Sequence, residues 1–346
     1  MKKITVIGHF GFKKNLINGQ TIKTKIITTE LKKTYGEKMV IMVDTRGNFF
    51  KRIFSFIKIF FSFFKSSDIV FLPARGGIYT IVSLLLFLNV SFKRRLHYVV
   101  IGGWIGDLAR EDTKLNKKLK KINFIYPETK LIENQLNCIG IFNTFVMPNG
   151  KELAILPENE VKKPESQIIK MCTFSRVSEQ KGIRDAIEAT ILANKESNGR
   201  KFLLDIYGQI KNEELDWFDN LKTKFGNEIR YCGEVDYDKS TETLSNYDIL
   251  LFPTYYPGEG FAGTIIDAFS AGLPVIASNW KSNSEIVDAK TGYLFESCNI
   301  DALKSSIINA TEDLDRLFMM KKECLKRASK YKISNVIKIL CNNIES

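Results

Sequence analysis

"ILLFPTYYPGEGFAGTIIDAFSAGLPVIAS", residues 249–278, holds a short apolar run, a glycine-rich turn, a helical pattern and a second apolar run. Gly272 and Pro274 close the helical pattern, because glycine accepts the left-handed backbone of a helix end and proline cannot continue the ladder. A strand, a helix and a second strand in that order make a parallel pair with a crossover. The same alternation runs through the chain. In the first half strands are expected at 4–8, 39–43, 69–72, 97–101, 124–126 and 145–147, with helices beginning near Gly19, Phe49, Gly76 and Asp112. In the second half they are expected at 168–174, 202–207, 229–231, 249–252, 275–277 and 293–295. This rhythm predicts an α/β protein of two doubly wound, Rossmann-like domains, with parallel sheets that face each other across a cleft. Ligands of such sheets sit beyond the carboxyl ends of the strands.

A chain of 346 residues exceeds one ordinary core, so a division is expected. The stretch "NGKELAILPENEVKKPES", residues 149–166, is polar, aperiodic and carries two prolines. The expected division is a first domain over 1–150, a linker over 151–166 and a second domain over 167–330. Residues 331–346 are expected as a C-terminal helix that packs back on the first domain.

With 44% hydrophobic and 26% charged residues, the composition is that of a globular protein rather than a disordered one. Its charge is unevenly spread. Residues 1–150 carry 25 Lys and Arg against 9 Asp and Glu, whereas the remainder carries 26 against 30. The first half is therefore expected to face something anionic. Six scattered cysteines without a C-x-x-C pair point to free thiols in a reducing cytoplasm. "MKKITVIGHFGF" at the start has too short an apolar run for a signal peptide and is expected as the first strand. No uncharged apolar run reaches 18 residues, so no membrane span is expected.

The quoted stretch also carries chemistry. Gly258, Gly260 and Gly263 permit tight turns and close approach of a ligand. A helix starting near Gly263 would present free N–H groups and a positive dipole end, which suits an anion without any cationic side chain. Glu259 and Asp267 flank that helix start and could accept hydrogen bonds from sugar hydroxyls. The same letters also suit an ordinary glycine-rich turn with an acid at a helix start. Earlier, "FSRVSEQKGIRDAIEA", residues 174–189, places Arg176 and Lys181 in a strand-to-helix loop at the same carboxyl edge. Two cations five residues apart suit a diphosphate, and also suit plain solvation. "VDYD" mimics a D-x-D metal motif, but Asp236 and Asp238 equally suit a helix start, and no metal site is expected. Of the two histidines, His97 begins a strand at the far edge and is expected to be structural. His9 follows the first strand on the ligand side and is a candidate site residue.

Together these runs resemble glycosyltransferase family 4. The carriers are Arg-x4-Lys-Gly at 176–182, a strand ending in Gly208, Gly233-Glu-Val235, and Glu259-Gly-Phe261 followed by Asp267-Ala-x-x-Ala-Gly-x-Pro-Val. "SNSEIV", "TGYLF" and "MPNGKEL" also look like that family, and the likeness is dense over 168–296. It implies a GT-B fold and a retaining glycosyltransferase (EC 2.4), of the bacterial type that builds capsule, exopolysaccharide or O-antigen. By that likeness Glu259 would contact the donor sugar, and Asp267, where the family has a second Glu, would hold the ribose. Arg176 and Lys181 would bear the diphosphate, helped by the amides of Phe261, Ala262, Gly263 and Thr264. Val235, after Gly233, would edge the base. "NLINGQTIKT" resembles the family's glycine loop and points to Gly19 near the donor phosphates. Where many members carry a histidine, this chain has Gly102 and Gly103 in "VIGGW". The implied donor is a UDP-sugar and the acceptor a lipid-linked saccharide or an oligosaccharide, with no metal or other cofactor. A sugar-nucleotide epimerase on the same frame, or a non-catalytic anion- or nucleic-acid-binding module, are the alternatives. With only two histidines the first is poorly supplied with acid–base groups. No nucleic-acid-binding module is legible, and nucleic acid is not expected as a partner.

One further stretch asks for a partner. In "FFKRIFSFIKIFFSFFK", residues 49–65, Lys51, Ser55, Lys58, Ser62 and Lys65 would form one polar stripe on a helix, with Arg52 beside it. The rest is Phe and Ile, more than one core-facing arc uses. The expectation is a helix in the membrane interface with its polar stripe toward anionic headgroups; the alternative is a helix buried on two sides within the domain. "KRR" at 93–95 and "KLNKKLKK" at 114–121 would extend the basic surface. That would place the protein in the cytoplasm, peripheral on the inner face of the membrane.

Overall fold

The computed structural model describes residues 3–11, 19–47, 49–197 and 199–346, without the side chains of 49–52 and 237. Its contacts divide the chain into two units, Met1–Glu152 with Tyr331–Ser346, and Leu153–Lys330.

The first unit is built on five parallel strands, β1 (Lys3–Gly8), β2 (Val40–Asp44), β3 (Ser66–Phe71), β4 (Arg95–Val99) and β5 (Phe124–Tyr126), in the order β2-β1-β3-β4-β5. Alternation along β1 sends Ile4 and Val6 to one face and Ile7 to the other, as a doubly covered sheet requires. On the first face they meet Ile27 and Leu31 of α1 (Gly19–Tyr35). Residues of the C-terminal segment, among them Ile333, Val336, Leu340 and Ile344, complete that core. Tyr331 and Ile333 bond Lys151 through the backbone, and Tyr35 Oη donates to Glu345 Oε1 at 3.0 Å. On the second face lie α2 (Phe49–Lys65) and α3 (Ile78–Phe92).

Two expectations are corrected here. Residues 145–147 are not a strand. Phe145 and Met147 donate to Ile125 O and Pro127 O, but Pro127 has no N–H to return and the pairing stops at a single bridge, Ile125 with Thr144. Among the described residues, Arg75–Phe92 is one helical run long and apolar enough to cross a membrane, Arg75 being its single charge. It covers the sheet, with Ile78, Ile81, Val82, Leu85 and Leu88 buried in the core. The second correction concerns α2. Its serines do not face outward with the lysines: Ser55 Oγ donates to Asp44 O and Ser62 Oγ to Ile59 O, both at 2.6 Å, and both residues are buried with Ile59 and Phe63. Small residues let the helix sit close to the sheet, and each hydroxyl finds a backbone carbonyl. Lys51 and Arg52 of the expected stripe have side chains outside the described residues.

The second unit holds six parallel strands, β6 (Ile168–Phe174), β7 (Lys201–Tyr207), β8 (Ile229–Gly233), β9 (Ile249–Phe252), β10 (Val275–Ser278) and β11 (Gly292–Phe295), ordered β11-β10-β9-β6-β7-β8. Residues 153–166, expected within a linker, are held by this unit. Leu156 N donates to Ser270 O, and Lys163 and Lys322 pair with Asp315 and Glu158. All six cysteines are free.

Candidate functional site

In the second sheet the chain goes one way from β6 to β7 and the other way to β9, so the order reverses between β6 and β9. The loops leaving those two strands part at a switch point, where open α/β sheets bind ligands. After β6 comes the loop with Arg176 and Lys181; after β9 comes the loop with Glu259.

Gly182 brings the two loops together. It follows the short turn Glu179–Lys181 with φ 71, and a Cβ there would lie 2.1 Å from Pro253 O. Only glycine combines that backbone with so close an approach. Tyr255 N then donates to Gln180 O at 2.9 Å, and Lys181 Nζ reaches Glu259 Oε2 at 2.5 Å. Both side chains are nearly buried. Thr254 Oγ1 donates to the same Glu259 oxygen (3.0 Å) and accepts from the Tyr256 N–H (3.2 Å). The Tyr256 ring lies 5.1 Å from Lys181 Nζ and 5.5 Å from the Arg176 guanidinium carbon, within cation–π range of both. Arg176 is exposed, so its fork remains open to an anion.

Three other expected residues, Gly208, Val235 and Thr264, line a cavity of about 190 Å³ beside these loops, with Ser175, Tyr207 and Glu234. Gly208 has φ 139 and a Cβ there would fall 1.7 Å from Ser175 O, so glycine is required for β7 to end against the Arg176 loop. Its N–H donates to Gly233 O at 2.8 Å. Helix Gly263–Ser270 starts at this cavity. Ala262 at its N-cap supplies no side-chain cap, which leaves the positive end of the helix to a ligand. Phe261 and Ala262 are buried, and Thr264 Oγ1 donates to Phe174 O at 2.9 Å. Asp267 is half-buried one turn further along the helix. Thr254 and Tyr256 were not singled out from the sequence. Both lie in the quoted stretch, but nothing in "TYYP" says which tyrosine turns to the cations.

In the first unit the order β2-β1-β3 places its own switch point between β1 and β3. His9 directly follows β1 and lines a cavity of about 540 Å³ with Thr45, Ser55, Phe56, Ala74 and Thr80. Gly19 is the first residue of α1, and among the described residues nothing lies within 4 Å of a Cβ built there; residues 15–18 of the same expected loop lie outside the described residues. His97 is structural. It is buried between Asp68 (3.0 Å) and Tyr126 Oη (2.9 Å), and burial holds its ring below the ordinary value against the pull of Asp68. At "VIGGW" the structure holds a buried ion pair that the sequence did not reveal. Lys23 Nζ meets Glu128 Oε1 at 2.5 Å and Val100 O at 3.1 Å, while Gly102 N donates to Glu128 Oε2 at 3.1 Å. Asp236 sits at the N-cap of the turn Tyr237–Lys239. Among the described residues no three His, Cys, Asp or Glu stand together as a metal site would require.

Asp185, in the first turn of helix Ile183–Glu196 behind Lys181, is pushed up to about 6, by burial first and then by Glu188. An unfolded Asp titrates near ~3.9, so between the two values the folded chain holds more protons. Stability from this group is therefore present at low pH and is lost as pH rises through about 6. Asp185→Asn should raise stability to urea at pH ~7.5 by roughly 1 kcal/mol, the half-exposed position being discounted for solvent, and leave it unchanged near pH ~4. An equal gain at both values would refute the burial account.

Residues 157–330 match the family described as glycosyl transferases group 1. An uncharacterized glycosyltransferase of Methanocaldococcus jannaschii is 24% identical over 278 residues, covering 75% of this chain and 70% of that protein. Sucrose-phosphate synthase from Thermosynechococcus elongatus superposes with a TM-score of 0.77 at 15% identity, over 100% of this chain and 98% of that one. Anabaena HepE, solved with UDP and glucose, gives 0.72 at 15% identity over the full length of both chains. These likenesses show the fold, two parallel-sheet α/β units of the GT-B type.

Proposed function

Because the chain belongs to the group 1 glycosyl transferases, we propose that it moves a sugar from a UDP-sugar to a lipid-linked saccharide acceptor in surface polysaccharide synthesis, with retention of configuration as in family 4. The observation that carries the reading is the Lys181–Glu259 pair at the switch point, with Arg176 over the same tyrosine ring and an uncapped helix start beside the Gly208–Thr264 cavity. Cleavage of the bond between the anomeric carbon and the diphosphate leaves negative charge on phosphate oxygens. Arg176 and Lys181 supply cations to it, and the first-turn amides at Ala262–Thr264 supply dipoles. Glu259, held by Lys181 and Thr254, is positioned to accept from hydroxyls of the transferred sugar, and Asp267 from the ribose. The complex of HepE with UDP supports a uridine donor. For the acceptor the proposal uses the first unit, where His9 lines the larger cavity.

Binding is tested by thermal shift against nucleoside diphosphates and nucleotide sugars, since a ligand of the folded state raises Tm by mass action. UDP and one UDP-sugar should stabilise the protein; a flat response to every nucleotide would overturn the reading. Chemistry is tested on the product. Activity is expected to survive EDTA, and the new linkage is expected to keep the donor's anomeric configuration by NMR. Dependence on Mn²⁺ or Mg²⁺ that disappears in Asp236→Ala or Asp238→Ala would assign the metal motif instead, and an inverted linkage would remove retention.

A further inference from the structure

Turning Ser55 and Ser62 into the core leaves the apolar side of α2 outside. At about 100° per residue, Phe60, Ile53, Phe64, Ile57, Phe61 and Phe54 follow one another round a single outer arc. All six are exposed, Phe54 at 67%, Phe61 at 56% and Phe64 at 59%. The rings form a continuous cluster: Phe60 meets Phe61 at 5.7 Å and Phe64 at 5.3 Å, and Phe64 meets Phe92, the last residue of α3, at 4.7 Å. Cations rim it. Lys58 and Lys65 lie along one edge of the arc and are exposed. Lys93 caps the end of α3, and the guanidinium of Arg94 lies 5.9 Å from the Phe92 ring.

We propose that this face of α2 and the end of α3 seats in an anionic lipid surface. An apolar centre with lysines and arginine at its edge matches acyl chains under negative headgroups. The helix spans 17 residues and its inner face is committed to the core, so it lies in the plane of the interface rather than across it. A second copy fits worse, because a two-fold contact between identical faces would set rim cations against rim cations. A nucleic acid would need the cations at the centre, where the phenylalanines are. Ile53 belongs both to the outer arc and to the wall of the cavity that holds His9. The proposal thereby deepens the acceptor reading above, but the seating itself does not depend on which sugar is moved.

The full chain is floated with phosphatidylcholine vesicles, with and without phosphatidylglycerol. Binding is expected with the anionic vesicles, roughly tenfold weaker with the neutral ones and weaker in high salt. Phe54→Ser/Phe61→Ser/Phe64→Ser should weaken it by at least about tenfold on anionic vesicles, and Lys58→Glu/Lys65→Glu should do the same. All these side chains are exposed, and each variant is checked for an unchanged thermal transition and an unchanged UDP shift. Equal binding to both vesicles, wild-type binding by the phenylalanine variant, or no binding by folded protein would overturn the proposal. Dimerisation that the same substitutions abolish, without vesicle binding, would give the face to a second copy. Vesicle binding with no UDP shift would count against the donor reading alone.

Discussion

Lys181→Ala is expected to slow sugar transfer by ~10²–10³, the loss typical of removing one charge that stabilises a transition state. The structure adds a second consequence. Lys181 Nζ is 2.5 Å from Glu259 Oε2, and both side chains are about one-tenth exposed. Removing the lysine leaves a nearly buried carboxylate beside the Thr254 hydroxyl, without its counter-charge, so the thermal midpoint should fall as well. Glu259→Gln keeps the shape and the Thr254 contact and removes the charge. If the pair acts as a unit, the double variant Lys181→Ala/Glu259→Gln will be less unstable than the sum of the single ones, by about 1–3 kcal/mol. Arg176 is exposed and, among the described residues, makes no comparable ion pair, so Arg176→Ala should lose rate to a similar extent without losing stability. The measurements are turnover at saturating donor and the midpoint of thermal unfolding. Full activity in both Glu259→Gln and Lys181→Ala would remove these residues from the chemistry.

The largest stability effect is expected away from that site, at Lys23 and Glu128. Their side chains are 6% and 4% exposed; Lys23 Nζ also donates to Val100 O, and Glu128 Oε2 accepts from Gly102 N. A buried pair is weak evidence of net stabilisation, yet breaking it is costly because one charge stays behind without its partner. Lys23→Met or Glu128→Gln should each lower the unfolding free energy of the first unit by ~3–5 kcal/mol in urea titrations. Lys23→Met together with Glu128→Leu removes both charges and should recover a large part of that loss. A double variant as unstable as the sum of the single ones would show that the site stabilises through something other than charge pairing. The expected thermal shift with UDP offers a control, since the proposed diphosphate site lies in the second unit.

The pattern that made the fold legible is local. Strand runs such as 168–174 and 249–252 end where Phe174 and Phe252 end them in the structure, because alternation and flanking glycine or proline act on neighbours in the chain. The glycine-rich turn, its two acids and the Arg176–Lys181 loop were legible for the same reason, and they sufficed for the family. What local pattern does not encode is which strand lies beside which. That β9 pairs with β6, and so that Glu259 meets a lysine 78 residues away, depends on strand order and on Gly182 fitting against Pro253. The rotation of α2 was equally out of reach. A helical wheel shows which residues share a side but not which side the sheet takes, and here the sheet took the serines with Phe63 and left Phe54, Phe60, Phe61 and Phe64 outside. Lys23 and Glu128 lie 105 residues apart and read as ordinary surface charges in the sequence. Composition and period by themselves determined a two-sheet α/β chain with a glycine-rich turn at residues 258–263. Only the tertiary structure decided which charges are buried together and which apolar face is left open, because both depend on close approach between segments distant in the chain.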